Sequence, residues 1–261
     1  MDVEPLFRHA GIVVTRWRGA ASLLEHRWPA VAFVQTGACL ADLDGGTLHV
    51  DSTRVLLTKP HRVTRQFGPE ATGSAILVAP EMAPEFNGGL LCAERTPRAL
   101  LIQQLILRKI EEGAPPSAIA DLALALAAEV FRDAAPLCIT NRRDDVVMAQ
   151  ALLAANYKKP IRLEAIARAV DLSPCHLCRL FKRMTGMHMH QYLNRLRLLA
   201  ALERVVEPRP DFAEIAYEYG FSSHSHFAAA FRKELGLTPS QARRLATSSF
   251  AELHRILEMH R

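Results

Sequence analysis

The sequence predicts an α+β protein. A strand-rich N-terminal β-sandwich or small β-barrel with two helices precedes an all-α C-terminal domain, which holds two helix-turn-helix units joined by a long helix. Three observations predict it. Residues 11–79 fall into short runs of β-branched and apolar residues separated by turn signals, the pattern of an antiparallel sandwich or barrel. Further on, one pattern is written twice: IARAVDLSPCHLCRLFKRMTGM from Ile166 and IAYEYGFSSHSHFAAAFRKELGL from Ile215. Charge divides along the same line: residues 1–140 carry 13 Lys and Arg against 15 Asp and Glu, a net −2, and residues 141–261 carry 19 against 12, a net +7. A cationic domain behind a nearly neutral one points to a polyanion for the former, nucleic acid or an anionic membrane, and a different task for the latter.

A chain of 261 residues is long enough for two cores. The expected divisions are a first domain at 1–134, a linker at 135–145, a helical domain at 146–247 and a C-terminal helix at 248–261. Strands are expected at Ile12–Trp17, Ala32–Gln35, Cys39–Leu43, Leu48–Val50, Arg54–Thr58, Arg62–Phe67 and Ala75–Ala79, with TGA, LDGG, KPH and FGPE as the turns between them. The segment from Pro84 to Thr96 loses periodicity and reads as a connection. Arg98–Glu111 and Pro116–Arg132 then carry apolar residues on one helical face, led by Leu101, Leu105, Leu122 and Leu126.

The helical domain opens with Val146–Asn156, stopped by KKP, and continues with Leu163–Val170. Ser173-Pro174 reads as an N-cap with Pro at the first helical position, and Gly186 ends that helix. The helix His188–Glu207, at ~1.5 Å per residue, spans roughly 30 Å, of the order of the ~34 Å between successive major grooves on one face of B-DNA. Asp211–Tyr219 and Ser222–Leu235 repeat the pair, and Thr238-Pro239 caps a closing helix through Leu245.

On the helix from Ser173, the 3.6-residue period turns Leu177, Leu180, Phe181 and Met184 inward and leaves Cys175, Cys178, Arg179 and Lys182 outside. Arg179 is the leading base-reading residue, because a forked guanidinium bonds guanine N7 and O6 together, and Cys175 and Cys178 are further expected base contacts. In the second unit Phe227 and Phe231 turn inward. His224, Ser225, His226 and Ala229 supply the reading surface; the run Ala228–Ala230 offers methyl contacts only, so specificity is expected to lie more in the first unit. Lys182, Arg183, Arg195, Arg197, Arg232, Lys233, Arg243 and Arg244 are the phosphate candidates, with a surface salt bridge or solvated charge as the alternative for each and a structural pairing as a further one for Arg197.

LSPCHLCRLFKRMTG, QYLNRLRLLAA and IAYEYGFSSHSHFAAAFRKELGLTPSQARR resemble the C-terminal DNA-binding domain of AraC-type transcriptional regulators over roughly residues 146–245. The resemblance includes the Gly-Phe before the second recognition helix, the two phenylalanines within it and the Thr-Pro after it. It implies seven helices in two helix-turn-helix units, double-stranded DNA as partner, and a cupin-like N-terminal barrel that senses a small-molecule effector and forms a homodimer. RNA polymerase is a further implied partner if the protein is an activator. At Ala229 the chain departs from the family, many of whose members place Arg or another polar residue there.

Other chemistry is weaker. The five cysteines at 39, 92, 138, 175 and 178 lack disulfide-framework spacing and are expected to be thiols; Cys175 and Cys178 lack the second pair of a zinc site. A thiol-based redox or metal sensor stays open as one alternative. A cupin-type metal enzyme fused to a DNA-targeting domain is another, but His26, His49 and His61 are scattered. Arg16, Arg18, Arg62 and Arg65 form either a pocket for an anionic ligand or an outer polar face. No cofactor, no metal and no enzymatic activity are expected, and the effector-binding residues are unknown. Without an apolar run of about 18 residues or a leader pattern, a cytoplasmic protein with no membrane partner is expected.

Overall fold

The computed structural model describes residues 2–18, 28–43, 46–58, 66–82, 91–132, 135–136 and 144–247. Strands β1 (Asp2–His9) and β2 (Ile12–Arg18) form a hairpin whose turn residues, Ala10 and Gly11, both take positive φ, as a tight turn matched to strand twist requires. Sequence reading missed β1 for a physical reason. It is an edge strand, where Pro5 and a register shift between Pro5 and Phe7 are tolerated, and it carries little apolar alternation.

Two further departures are of one kind. β3 (Ala30–Leu43) is one strand where two were expected, and β6 (Gln66–Val78) likewise joins two expected runs. The apparent turn at Thr36-Gly37-Ala38 is spent on shifts of register, with Gly37 at φ +73°. Gly73 in β6 admits the Trp17 ring: an added Cβ would come within 2.1 Å of that ring and 2.2 Å of the Phe33 carbonyl oxygen. β4 (Gly46–Asp51) and β5 (Arg54–Thr58) fall close to the expected runs. β7 (Leu91–Glu94) lies in the expected connection and β8 (Ala135–Pro136) in the expected linker. The antiparallel order is β1-β2-β6-β3-β5-β7-β8, with β4 paired to β3.

Helices α1 (Pro97–Glu111) and α2 (Pro116–Arg132) cover the sheet, placing Ile102, Ile106, Leu122 and Leu126 against Val14, Phe33, Val55, Leu57 and Ile76. The Thr96 side chain caps α1 by accepting from the Ala99 N–H at 3.0 Å. Arg95 is fully buried; it donates to the carbonyls of Val34 and Ser52 and to Gln103, and burial draws its pKa down to about 9.

The C-terminal domain comprises α3 (Asp144–Asn156), α4 (Leu163–Ala169), α5 (Pro174–Thr185), α6 (Met189–Val206), α7 (Phe212–Glu218), α8 (His224–Leu235) and α9 (Pro239–Thr247). Its core joins Leu153, Ile166, Leu177, Phe181, Leu196 and Leu199 to Ile215, Phe227, Phe231 and Ala242. That core also takes in Ala38, Leu100 and Leu105, so the helical domain packs directly on the N-terminal one: α3 lies against β3, β4 and β6, and α1 meets α6, α8 and α9. The expected C-terminal helix, Cys138 and most of the expected linker lie outside the described residues.

Candidate nucleic-acid interface

The two units are built by the same local chemistry. In the first, α4 ends in a turn with Asp171 at φ 53° and the Leu172 N–H on the Ala167 carbonyl at 2.9 Å. In the second, Gly220 takes φ 79° and the Phe221 N–H reaches the Ala216 carbonyl at 2.8 Å. Ser173 then caps α5 by accepting from the His176 N–H at 3.3 Å, and Ser223 caps α8 by accepting from the His226 N–H at 3.1 Å. Both helices end at a left-handed glycine, Gly186 and Gly236, each at φ 74°. The turns are 49 positions apart and the caps 50, so the additional residue of the second copy is Ser222.

The inward stripe of α5 is Leu177, Leu180 and Phe181, and that of α8 is Phe227, Phe231 and Leu235. The outward side of α5 exposes Cys175, His176, Arg179, Lys182 and Arg183. His176, Arg179, Leu180 and Arg183 line an open groove of about 390 Å³. Sequence reading passed over His176, although its 3- and 7-residue spacing from Arg179 and Arg183 places it on their face. Cys178 departs from the expected outer position. It is half-buried and lines a separate cavity of about 280 Å³ with Leu153, Leu163, Ile166, Met189 and Leu193, because its angular position on α5 turns it toward α3, α4 and α6.

On α8, His224, Ser225, His226, Ala229, Arg232 and Lys233 are exposed. Its two imidazoles have neighbours of their own. His224 stacks on Phe212 at 6.3 Å between ring centroids, while His226 meets Phe221 edge-on and its Nδ1 lies 3.2 Å from Ser222 Oγ. Among the described residues the side chains of Arg179, Lys182, Arg183, Arg232 and Lys233 make no hydrogen bond or ion pair, which leaves these five cations available to an anionic ligand.

Three expected phosphate contacts are occupied inside the protein. Arg197 donates to the carbonyls of Tyr157, Gly220 and Lys159, tying the end of α3 to the second turn, and burial lowers its pKa. Gly220 makes this approach possible, since an added Cβ would sit 2.9 Å from the guanidinium. Arg243 donates to the carbonyls of Val205 and Pro210 and covers the Phe212 ring at 3.9 Å. Arg195 pairs with Glu234 of α8 at 2.9 Å and lies 3.7 Å from Glu94 of β7. These guanidinium groups hold helices together; the sequence offers a structural pair for Arg197, and for Arg195 and Arg243 a surface salt bridge or solvated charge. Arg244 is exposed on α9.

Elsewhere, His49 is buried, with Nδ1 3.7 Å from Asp51 Oδ2. Arg16 pairs with Glu111 at 3.0 Å; Arg62, Arg65, His26 and His61 lie outside the described residues. Among the described residues no three His, Cys, Asp or Glu side chains form a metal-holding cluster, and no helix is long and apolar enough to cross a membrane.

Residues 166–245 match the family model described as a helix-turn-helix domain. The HTH-type transcriptional activator RhaS of Salmonella schwarzengrund (strain CVM19633) is 34% identical over 104 residues, covering 40% of this chain and 37% of that protein. RhaS of Escherichia coli (strain SE11) is 31% identical over 105 residues, covering 40% and 38%. The chain thus spans little more than a third of the length of these curated relatives. Among solved structures, a transcriptional regulator of the AraC-type DNA-binding-domain class from Chromobacterium violaceum is 30% identical, covers 40% of this chain and 92% of its own, and has a TM-score of 0.38. ToxT from Vibrio cholerae O395 is 15% identical, covering 92% of this chain and 99% of its own, with a TM-score of 0.40.

Proposed function

We propose that this chain, whose C-terminal domain belongs to the AraC-type helix-turn-helix family, is a sequence-specific DNA-binding transcriptional regulator that answers to an effector through its N-terminal domain. The observation that carries the reading is the duplicated unit on one long helix. Two capped helices, each backed by a buried apolar stripe, precede and follow in the chain the 18-residue α6, which spans roughly 27 Å at ~1.5 Å per residue. Such a strut suits two helices that enter successive major grooves.

The residues divide by role. Arg179 reads a base, supported by His176 and Cys175 along the same face; His224, Ser225, His226 and Ala229 form the second, less directional surface. Lys182, Arg183, Arg232, Lys233 and Arg244 neutralise phosphates. The N-terminal domain is a cupin-like barrel that carries the effector site and a homodimer contact, and RNA polymerase is a partner where the protein activates. The protein works in the cytoplasm and is not an enzyme.

Selection of bound duplexes from a random DNA pool with the full chain tests this reading. Enrichment of a bipartite site with two contacted segments about one helical turn apart is expected; binding with no preferred sequence, or none at low ionic strength, overturns it.

A further inference from the structure

We infer that Tyr192 is a positioning residue joining the N-terminal domain to the first recognition helix, its hydroxyl held by Asp51 and its ring set against Phe181. The inference rests on the DNA-binding reading above and adds a route by which the first domain acts on one recognition helix and not the other.

Asp51 ends β4 at the interface and has no exposed surface. Its Oδ1 accepts from the Thr53 N–H at 2.9 Å and the Thr53 hydroxyl at 2.6 Å, which fixes the carboxylate and aims Oδ2 outward from its own turn. Oδ2 accepts from the hydroxyl of Tyr192, 141 residues later on α6. Gln150 of α3 donates to the same phenolic oxygen at 3.1 Å. Tyr192 is itself buried, and its ring meets Phe181 of α5 edge-on with centroids 5.3 Å apart. Phe181 lies two positions from Arg179 and one from Lys182.

The chemistry suits a reversible joint. A hydrogen bond formed on docking replaces bonds to water, so its net contribution is modest, whereas a buried carboxylate left without its donor is costly. The contact therefore does little to hold the domains together and much to fix how they sit. A movement of the Asp51 turn draws on the phenol, and the ring transmits it to Phe181, because a close-packed interior resists being compressed or opened. The other unit lacks this link: the N-terminal domain reaches α8 through α1 and through Arg195 between Glu94 and Glu234.

The test uses the full chain with Tyr192→Phe, which keeps the ring and removes the hydroxyl, and Asp51→Asn as a second variant. Amide hydrogen exchange is followed across 174–185 and 224–235 without DNA, and binding is measured on duplexes altered in one or the other half of the selected site. Expected are faster exchange in α5 with α8 unchanged, and about two- to tenfold weaker discrimination in the half that Arg179→Ala also alters, the worth of one hydrogen bond. The double variant should add nothing to either single one. Equal loosening of both helices, equal loss in both half-sites, or no change in either measurement overturns the joint. A wild-type chain that ignores duplex DNA sinks the regulator reading alone, and the exchange pattern then decides the joint by itself.

Discussion

The two helix-turn-helix units share a frame and differ in what the frame presents. Ser173 and Ser223 cap, Gly186 and Gly236 terminate, and Phe181 and Phe231 fill the same position at the core with 0% exposure. The outward faces diverge. α5 offers Arg179 unpaired beside His176 and Arg183, whereas α8 offers two imidazoles with aromatic neighbours and the methyl of Ala229. Folding constrains the buried positions of both copies alike, and the surface is where one copy can specialise in reading and the other in docking.

The frame should break symmetrically and the faces should not. Phe181→Ala and Phe231→Ala should each cost about 3–5 kcal/mol, the usual loss for a fully buried aromatic ring; urea titration of the full chain measures it, and tolerance of one alone would mean that the frames are not equivalent. Arg179→Ala should cost about 1–3 kcal/mol of discrimination at one base position, seen as a relaxed preference in pool selection. Ala229→Arg should sharpen a position in the other half, and no change from either substitution would remove the asymmetry. Gly220→Ala should lower stability by about 1–2 kcal/mol for a left-handed non-glycine residue and displace Arg197, while Asp171→Gly, at the matching turn, should be nearly neutral by thermal melting. Ser173→Ala and Ser223→Ala should lose about 1 kcal/mol each. Smallest of all, Lys182→Ala or Arg232→Ala should weaken binding to all sequences alike and reduce the slope of log affinity against log salt by about 1.

The helical domain was largely legible because its signals are local. Ser-Pro before α5, glycine after each recognition helix and apolar residues at 3 and 4 spacing place the helices within a residue or two of where they fall. The sheet was less so: TGA and FGPE read as breaks, yet Gly37 eases a bulge in β3 and β6 runs on through the second, with Gly73 farther along making room for Trp17. The candidate interface divided in the same way. Arg179 could be placed from its phase on α5, but nothing local separates Arg195, Arg197 and Arg243 from free surface cations, since their partners are carbonyls and carboxylates 23 to 100 residues away or more. Tyr192 and Asp51 were invisible for the same reason, with 141 positions between two residues unremarkable alone.

Ser222, the residue by which the second copy exceeds the first, falls before the cap and not within the helix. An insertion inside α8 would rotate everything downstream by about 100° and turn Phe231 out to solvent, given 3.6 residues per turn. Placed ahead of Ser223, the surplus is absorbed by the bend and the phase of the helix starts afresh. Loops of this kind can gain or lose a residue over time while the outward-looking positions keep their bearing, so the spacing between tandem copies is a poorer guide to common descent than the alignment of their serine starts.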